Sequence, residues 1–270
     1  MKAKVWLDKV EVLVEELANE MDEIVASDMY KRHLETMSRF WHYSFGNQML
    51  IALQFPGATF VAGFNRWKIM GRFVRKGERG IHILAPGIKK LDAETEDEDE
   101  DGVIRYFFPV TVFDISQTDG DELPIMDACV EGADAERYME ALVEHCRQDG
   151  TVVKYETMAP YSYGWSSNGE VAVNAQHSVN TQFASMVHEV AHEMLHWDHN
   201  TATKQRYEAE AEGTSYVVLT HYGIESKAPS YLALSAINKD VLKASLTNIS
   251  NAAKRIITAI ETKLDIEQVA

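Results

Sequence analysis

The chain has 270 residues, 46% of them hydrophobic and 25% charged, with 26 Lys plus Arg against 42 Asp plus Glu and a formal net charge of −16. That composition excludes a disordered or fibrous chain, and no apolar run of about 18 residues is present to cross a bilayer, so no membrane partner is expected. The first twenty residues mix acids into their apolar pattern, unlike a secretory leader, and Cys129 and Cys146 form no CxxC pair, so the chain reads as cytoplasmic.

Val5, Leu7, Val10, Val12, Leu13, Val14, Leu17 and Ile24 recur at helical intervals and predict an amphipathic helix over 5–26. A second helical stretch over 28–54, carrying Leu34, Met37, Phe40, Trp41, Met49, Leu50 and Leu53, is stopped near Pro56 and Gly57. Residues 58–86 change to short strands punctuated by Gly63, Gly71, Gly77 and Gly80. The run LDAETEDEDEDG at 91–102 carries eight acids and no base, and reads as a solvated loop. Residues 106–113 (YFFPVTVF) read as a strand whose proline favours a sheet edge. After a loop over 116–127 come a helix over 134–148 and strands at 152–155 and 170–173, with a turn at SSNG, 166–169. Helices over 181–197 and 203–222 and a helical tail over 229–266 complete the chain. The fold class is α+β. N-terminal helices with a small antiparallel sheet occupy residues 1–127, and a small sheet with a helix bundle occupies 128–270.

The helix from 181 places Phe183, Met186, Val187, Val190, Ala191, Met194 and Leu195 at alternating spacings of three and four, a clean apolar face. On it stands His188-Glu189-Val190-Ala191-His192, the HExxH pattern. Imidazoles four residues apart share a helical face and reach one Zn²⁺, while Glu189, about 100° round, is placed to take a proton from a water. His196 and His199 continue the series and are read as helix-end or packing histidines. A catalytic zinc requires a third protein ligand, and the next helix offers Glu208, Glu210 and Glu212. Glu208 and Glu212 fall on a polar, solvated face with Lys204 and Ser215. Glu210 falls with Tyr207, Gly213, Thr214 and Val217 on a small, apolar one, where a carboxylate is costly unless paired or metal-bound. Glu210 is therefore the expected ligand, the alternative being an ion pair with Arg206 four residues back.

HExxH followed by EAEAEGTSYVV resembles the gluzincin metallopeptidases, most of all their compact ImmA/IrrE-like branch. The resemblance implies a zinc metallopeptidase domain with His188, His192 and Glu210 on the metal and Glu189 as catalytic base. It also sets residues 163–173 where such enzymes keep the edge strand that pairs with a peptide substrate; an ordinary hairpin is the alternative.

The net charge argues against nucleic acid only as an average. Residues 61–90 hold eight basic groups against Glu78 alone and interleave them with Phe64, Trp67 and Phe73. Such a mixture suits single-stranded nucleic acid, and aromatics in so small a domain suit a core equally. YSFGNQMLIALQ, FVAGFNRWKIMGRFVRKGERGIHILAP and VTVFDISQTDGDELP, in that order, resemble the N-terminal domain of ArdC-type antirestriction proteins. The resemblance implies a single-stranded-DNA-binding domain over 1–127, a zinc peptidase domain over 128–270, and a mobile-element protein that protects incoming DNA from restriction. Charge and exposure logic makes Trp67, Arg72, Arg75, Lys76 and Arg79 the candidate DNA contacts. The competing expectations are an ImmA-like endopeptidase that cleaves a repressor, and a non-catalytic DNA-binding protein with structural zinc.

Overall fold

The computed structural model describes residues 3–20, 23–90, 103–121, 134–196, 204–227, 229 and 238–264; the acidic run at 92–101 and His199 lie outside them. The chain divides into one unit of Met1–Leu13 with Gly46–Pro124 and another of Val14–Phe45 with Ile125–Ala270. The two expected N-terminal helices are three: α1 (Ala3–Asn19), α2 (Glu23–Arg39) and α3 (Phe45–Gln54). Between α2 and α3 the chain turns where Tyr43 N closes on Phe40 O (2.9 Å) and Lys254 donates to His42 O (2.7 Å).

The first unit holds β1 (Val61–Gly63), α4 (Phe64–Ile69), β2 (Arg72–Val74), β3 (Ile81–Lys90), β4 (Val103–Asp114) and β5 (Thr118–Gly120). Its strands make an antiparallel sheet of order β1-β4-β3 and a separate β2-β5 pair. Two amides of α3 cover the open edge of β3. Asn47 accepts from Leu84 N (2.8 Å) and donates to Leu84 O (2.9 Å), and Gln54 treats His82 N (3.0 Å) and O (2.8 Å) alike. At His82 and Leu84 the edge so capped offers no template for a foreign strand. β4, expected at an edge because of its proline, lies in the middle. Leu84, paired with Pro109, turns both backbone groups outward to Asn47, so Pro109 N points the other way. On that side β1 pairs only with Val112 to Asp114, and the missing N–H is not needed. β5 lies in the segment read as a loop, because three residues, Thr-Asp-Gly, carry no alternation to detect.

In the second unit, α5 (Asp134–Gln148) precedes β6 (Val152–Glu156), β7 (Gly164–Ser167) and β8 (Glu170–Asn174). Helices α6 (Val179–Leu195), α7 (Lys204–His221) and α8 (Lys239–Lys263) follow. β8 is central, parallel to β6 and antiparallel to β7, and its Val171, Ala172 and Val173 are fully buried. The Asn168-Gly169 turn joining β7 to β8 has φ of 50° and 81°, the left-handed pair that a two-residue hairpin requires. Ser178 caps α6 and Asn238 caps α8. At Gly213 of α7 a Cβ would stand 2.7 Å from Ile249 Cδ1 and 2.9 Å from the Tyr30 hydroxyl, so only glycine lets α2, α7 and α8 approach so closely. That packing draws residues 14–45 into the second unit, rather than leaving them with the 1–127 domain marked out by sequence position. No described helix is long and apolar enough to cross a membrane.

Burial lowers His33 and His42 to about 4, with Arg32 and Lys254 respectively adding repulsion. Both histidines are neutral in the folded unit, whereas an unfolded chain takes up their protons near 6.5. The unfolded state therefore binds more protons below 6.5, and stability falls as the pH drops from there to about 4. Each histidine contributes at most about 3 kcal/mol to that loss. Urea midpoints of wild type and His42→Gln between these pH values check it; the variant's midpoint should vary less steeply with pH.

Candidate metal centre

α6 and α7 bring three donors together. His188 Nε2 and His192 Nε2 stand 3.1 Å apart, and Glu208 Oε2 is 3.5 and 3.6 Å from them. Among the described residues this is the grouping of His, Cys, Asp and Glu with metal-ligand spacing. Tetrahedral ligands about 2.0–2.1 Å from a zinc ion lie about 3.3–3.4 Å from one another. The donor triangle therefore has the size, and the N₂O composition, that a small divalent cation demands. Burial lowers the basicity of both imidazoles, that of His192 to about 4 with repulsion from His188 added, so both are neutral as ligation requires.

Glu210, the carboxylate expected on the metal, is elsewhere. It is 2% exposed and accepts from Arg206 Nε (2.7 Å), Ser245 Oγ (2.6 Å) and Asn248 Nδ2 (3.1 Å). Burial alone would raise its pKa, but the hydrogen bonds from His196, Ser245, Arg206 and Asn248 hold it at about 2. The ion pair with Arg206 is the arrangement found, and Glu208, read as solvated, faces the histidines. His196 is buried at the end of α6 against the Tyr207 ring (centroids 4.3 Å).

Glu189 is pushed up to about 7 by burial, against a hydrogen bond from Ser166 of β7. The strand lies close: a Cβ on Gly164 would stand 2.8 Å from Ala172 O and 3.1 Å from Glu189 Cγ. Glu193, the next acid on α6, accepts from Gly169 N (2.9 Å) and holds the hairpin turn down on the helix. A cleft of about 690 Å³ around the histidines and a second of about 860 Å³ share Gly164, His188 and Glu189. They meet beside β7, whose outer edge pairs with no strand among the described residues.

The candidate DNA contacts divide. Trp67 has 0% exposure and donates to Phe113 O (2.9 Å), so it belongs to the core and has no face left for a base. Arg72 and Arg75 are structural ties to the chain around β5. Arg72 donates to Thr118 Oγ1 (2.8 Å), to Thr118 O and to Asp121 O. Arg75 meets Glu78 (2.9 Å), Asp119 (3.3 Å) and Ser116 O. Lys76 and Arg79 are exposed. Among the described residues of the first unit, the aromatics that face solvent are Phe64, Phe73, Tyr106, Phe107 and Phe108, and Tyr106 and Phe108 neighbour each other on β4 with centroids 5.9 Å apart. Three consecutive aromatics on one strand were the available signal, since at least one must leave the buried face.

Residues 12–113 match the family described as the N-terminal domain of anti-restriction factor ArdC. Over those residues the chain is similar to the N-terminal domain of ArdC. The uncharacterized protein pXO2-81 of Bacillus anthracis is 26% identical over an alignment of 277 positions that covers 84% of this chain and 47% of that one. The chain thus spans about half the length of this curated relative. The metal-free crystal structure of antirestriction protein ArdC from plasmid R388 superposes with a TM-score of 0.51 at 18% identity, covering 84% of this chain and 87% of ArdC. Its fold of helices with small sheets is the ArdC fold. A Mn(II)-bound structure of the same protein gives 0.48 at 16% identity, over 87% and 99%.

Proposed function

We propose that this chain is an antirestriction protein of a mobile element, with a single-stranded-DNA-binding first unit and a zinc-dependent peptidase in the second. The observation that carries the peptidase reading is the donor triangle of His188, His192 and Glu208 beside Glu189 and an open strand edge. When bound, a divalent zinc ion supplies Lewis acidity toward a carbonyl and makes a water more acidic. The chain's own residues do the rest. β7, whose outer edge pairs with no strand among the described residues, offers its backbone to an extended peptide, the adjoining clefts receive the peptide's side chains, and the Glu189 carboxylate takes a proton and passes it on. A pKa near 7 suits both halves of that task. Binding of one equivalent of zinc, lost in His188→Ala with His192→Ala, tests the centre; full occupancy in that double variant would sink it.

The ArdC-type domain and its exposed aromatics support the DNA reading. Tyr106 and Phe108 offer faces for bases, and Lys76 and Arg79 offer charges for phosphates. Lys76→Ala with Arg79→Ala is expected to flatten the dependence of log K on log salt by about 0.7 for each phosphate no longer neutralised. Tyr106→Ala with Phe108→Ala should cost about 1–3 kcal/mol per stacked base. Oligonucleotide titrations from low to moderate salt check both, and absence of binding by the wild type at low salt refutes the reading. Arg72→Ala, in contrast, should lower the melting temperature.

A further inference from the structure

A continuous line of polar atoms runs from the buried carboxylate to the metal side of α6. Glu210 Oε2 is 3.3 Å from His196 Nε2, His196 Nδ1 is 2.9 Å from His192 Nδ1, and His192 Nε2 faces His188 and Glu208. A carboxylate only accepts, so His196 Nε2 must donate to it. A neutral imidazole that donates from Nε2 has its lone pair on Nδ1, and that atom can only accept from His192 Nδ1–H. His192 is then left with a bare Nε2 on the side of the other two donors. The opposite oxygen of Glu210 is fixed by Arg206 and Ser245, so the carboxylate cannot swing away from His196.

We propose that Glu210 and His196 act as a positioning relay that fixes the tautomer and aim of His192, which gives the buried carboxylate its role without placing it on the metal. The relay deepens the metal-centre reading and rests on it. Metal-bound histidines are ordinarily steadied through their second nitrogen by a carboxylate or carbonyl. Here a second imidazole, four residues on along the same helix, carries that influence from a carboxylate on α7. In water the imidazole of histidine favours the Nε2–H form, so the arrangement holds His192 in the less common one.

The test uses the full chain with ¹⁵N-labelled histidine, free of metal, at about pH 8 where imidazoles are neutral. Long-range proton–nitrogen correlation is expected to show His192 as the Nδ1–H tautomer in the wild type and to lose that preference in Glu210→Gln and in His196→Phe. The second variant leaves the Arg206–Glu210 pair intact and keeps a ring against Tyr207. Zinc affinity, read by competition with a chromophoric chelator, should fall about 10–100-fold in both. Ser245→Ala removes a donor from the other carboxylate oxygen, and should lower the melting temperature while leaving tautomer and affinity alone. An Nε2–H tautomer of His192 in the wild type overturns the relay. So does an unchanged tautomer and affinity in both variants, which would leave the network as a staple between helices. A wild type that shows the Nδ1–H tautomer yet binds no zinc upholds the relay and removes the metal centre instead.

Discussion

Replacing Glu189 with Gln is expected to leave zinc affinity nearly unchanged and to slow peptide hydrolysis by about 10²–10⁴-fold, the usual contribution of a positioned general base. The amide keeps the shape and the neighbours of the carboxylate but cannot take a proton. Glu189 touches the site through its position on α6 beside Gly164 and Ser166, and it is not among the three grouped donors, so the metal should stay. Zinc titration and a peptide-cleavage assay on the same preparation check the split. Unchanged turnover would remove Glu189 from the chemistry, and loss of zinc would make it a ligand. If Glu189→Gln still protects DNA in cells while His188→Ala does not, protection runs through a folded metal centre and not through hydrolysis.

The part of this site carried by one helix could be read from the sequence. Spacing along α6 sets the apolar face, puts His188 and His192 on one side and turns Glu189 toward β7, all consequences of 3.6 residues per turn. What depends on a second helix is not legible in that spacing. The wheel of α7 correctly put Glu210 on the buried face, but burial does not say what a carboxylate is paired with. Arg206, four residues back, was visible as a partner. Ser245 and Asn248 of α8 were not, since only the tertiary fold brings them across. A catalytic metal must keep a position open to water, so a carboxylate proposed to serve one is to be sought on the face that looks solvated, which is where Glu208 stands beside His188 and His192. The first unit teaches the same lesson. Asp114 accepts from Thr59 N (2.7 Å), and Gln117 donates to Arg79 O (2.8 Å). The stretch around 110–120 that carries the family likeness is largely this internal wiring, with Arg72 and Arg75 tied into it. Basic residues in a family motif were therefore partly scaffold, and the exposed aromatics of β4 lay outside the basic stretch.

In the proposed centre Glu208 and Glu210, two of the three carboxylates of α7, separate stability from metal binding, and that separation predicts opposite outcomes for two neighbouring substitutions. Glu208→Ala removes an exposed-side carboxylate, so the metal-free melting temperature should scarcely move, within about 0.5 kcal/mol. Zinc affinity should fall by more than the roughly 100-fold that loss of an outer-sphere partner costs, because a direct donor is gone. Glu210→Ala breaks a buried ion pair by removing the carboxylate that accepts from Arg206, Ser245 and Asn248, and leaves Arg206, with 17% side-chain exposure, its bond to Ser245. Breaking such a pair costs about 3–5 kcal/mol, which in a protein of this size lowers the melting temperature by about 10 °C. Calorimetric melts of both metal-free variants, followed by chelator competition on the folded fraction, read the two effects independently. Zinc bound normally by Glu208→Ala, together with an unaltered melt and no zinc binding for Glu210→Ala, would restore Glu210 to the metal. A melt lowered in Glu210→Ala, with residual zinc affinity higher than in Glu208→Ala, matches a carboxylate that acts at one remove, because its influence on the ion passes through His196 and His192 and is only as strong as the tautomer preference it imposes.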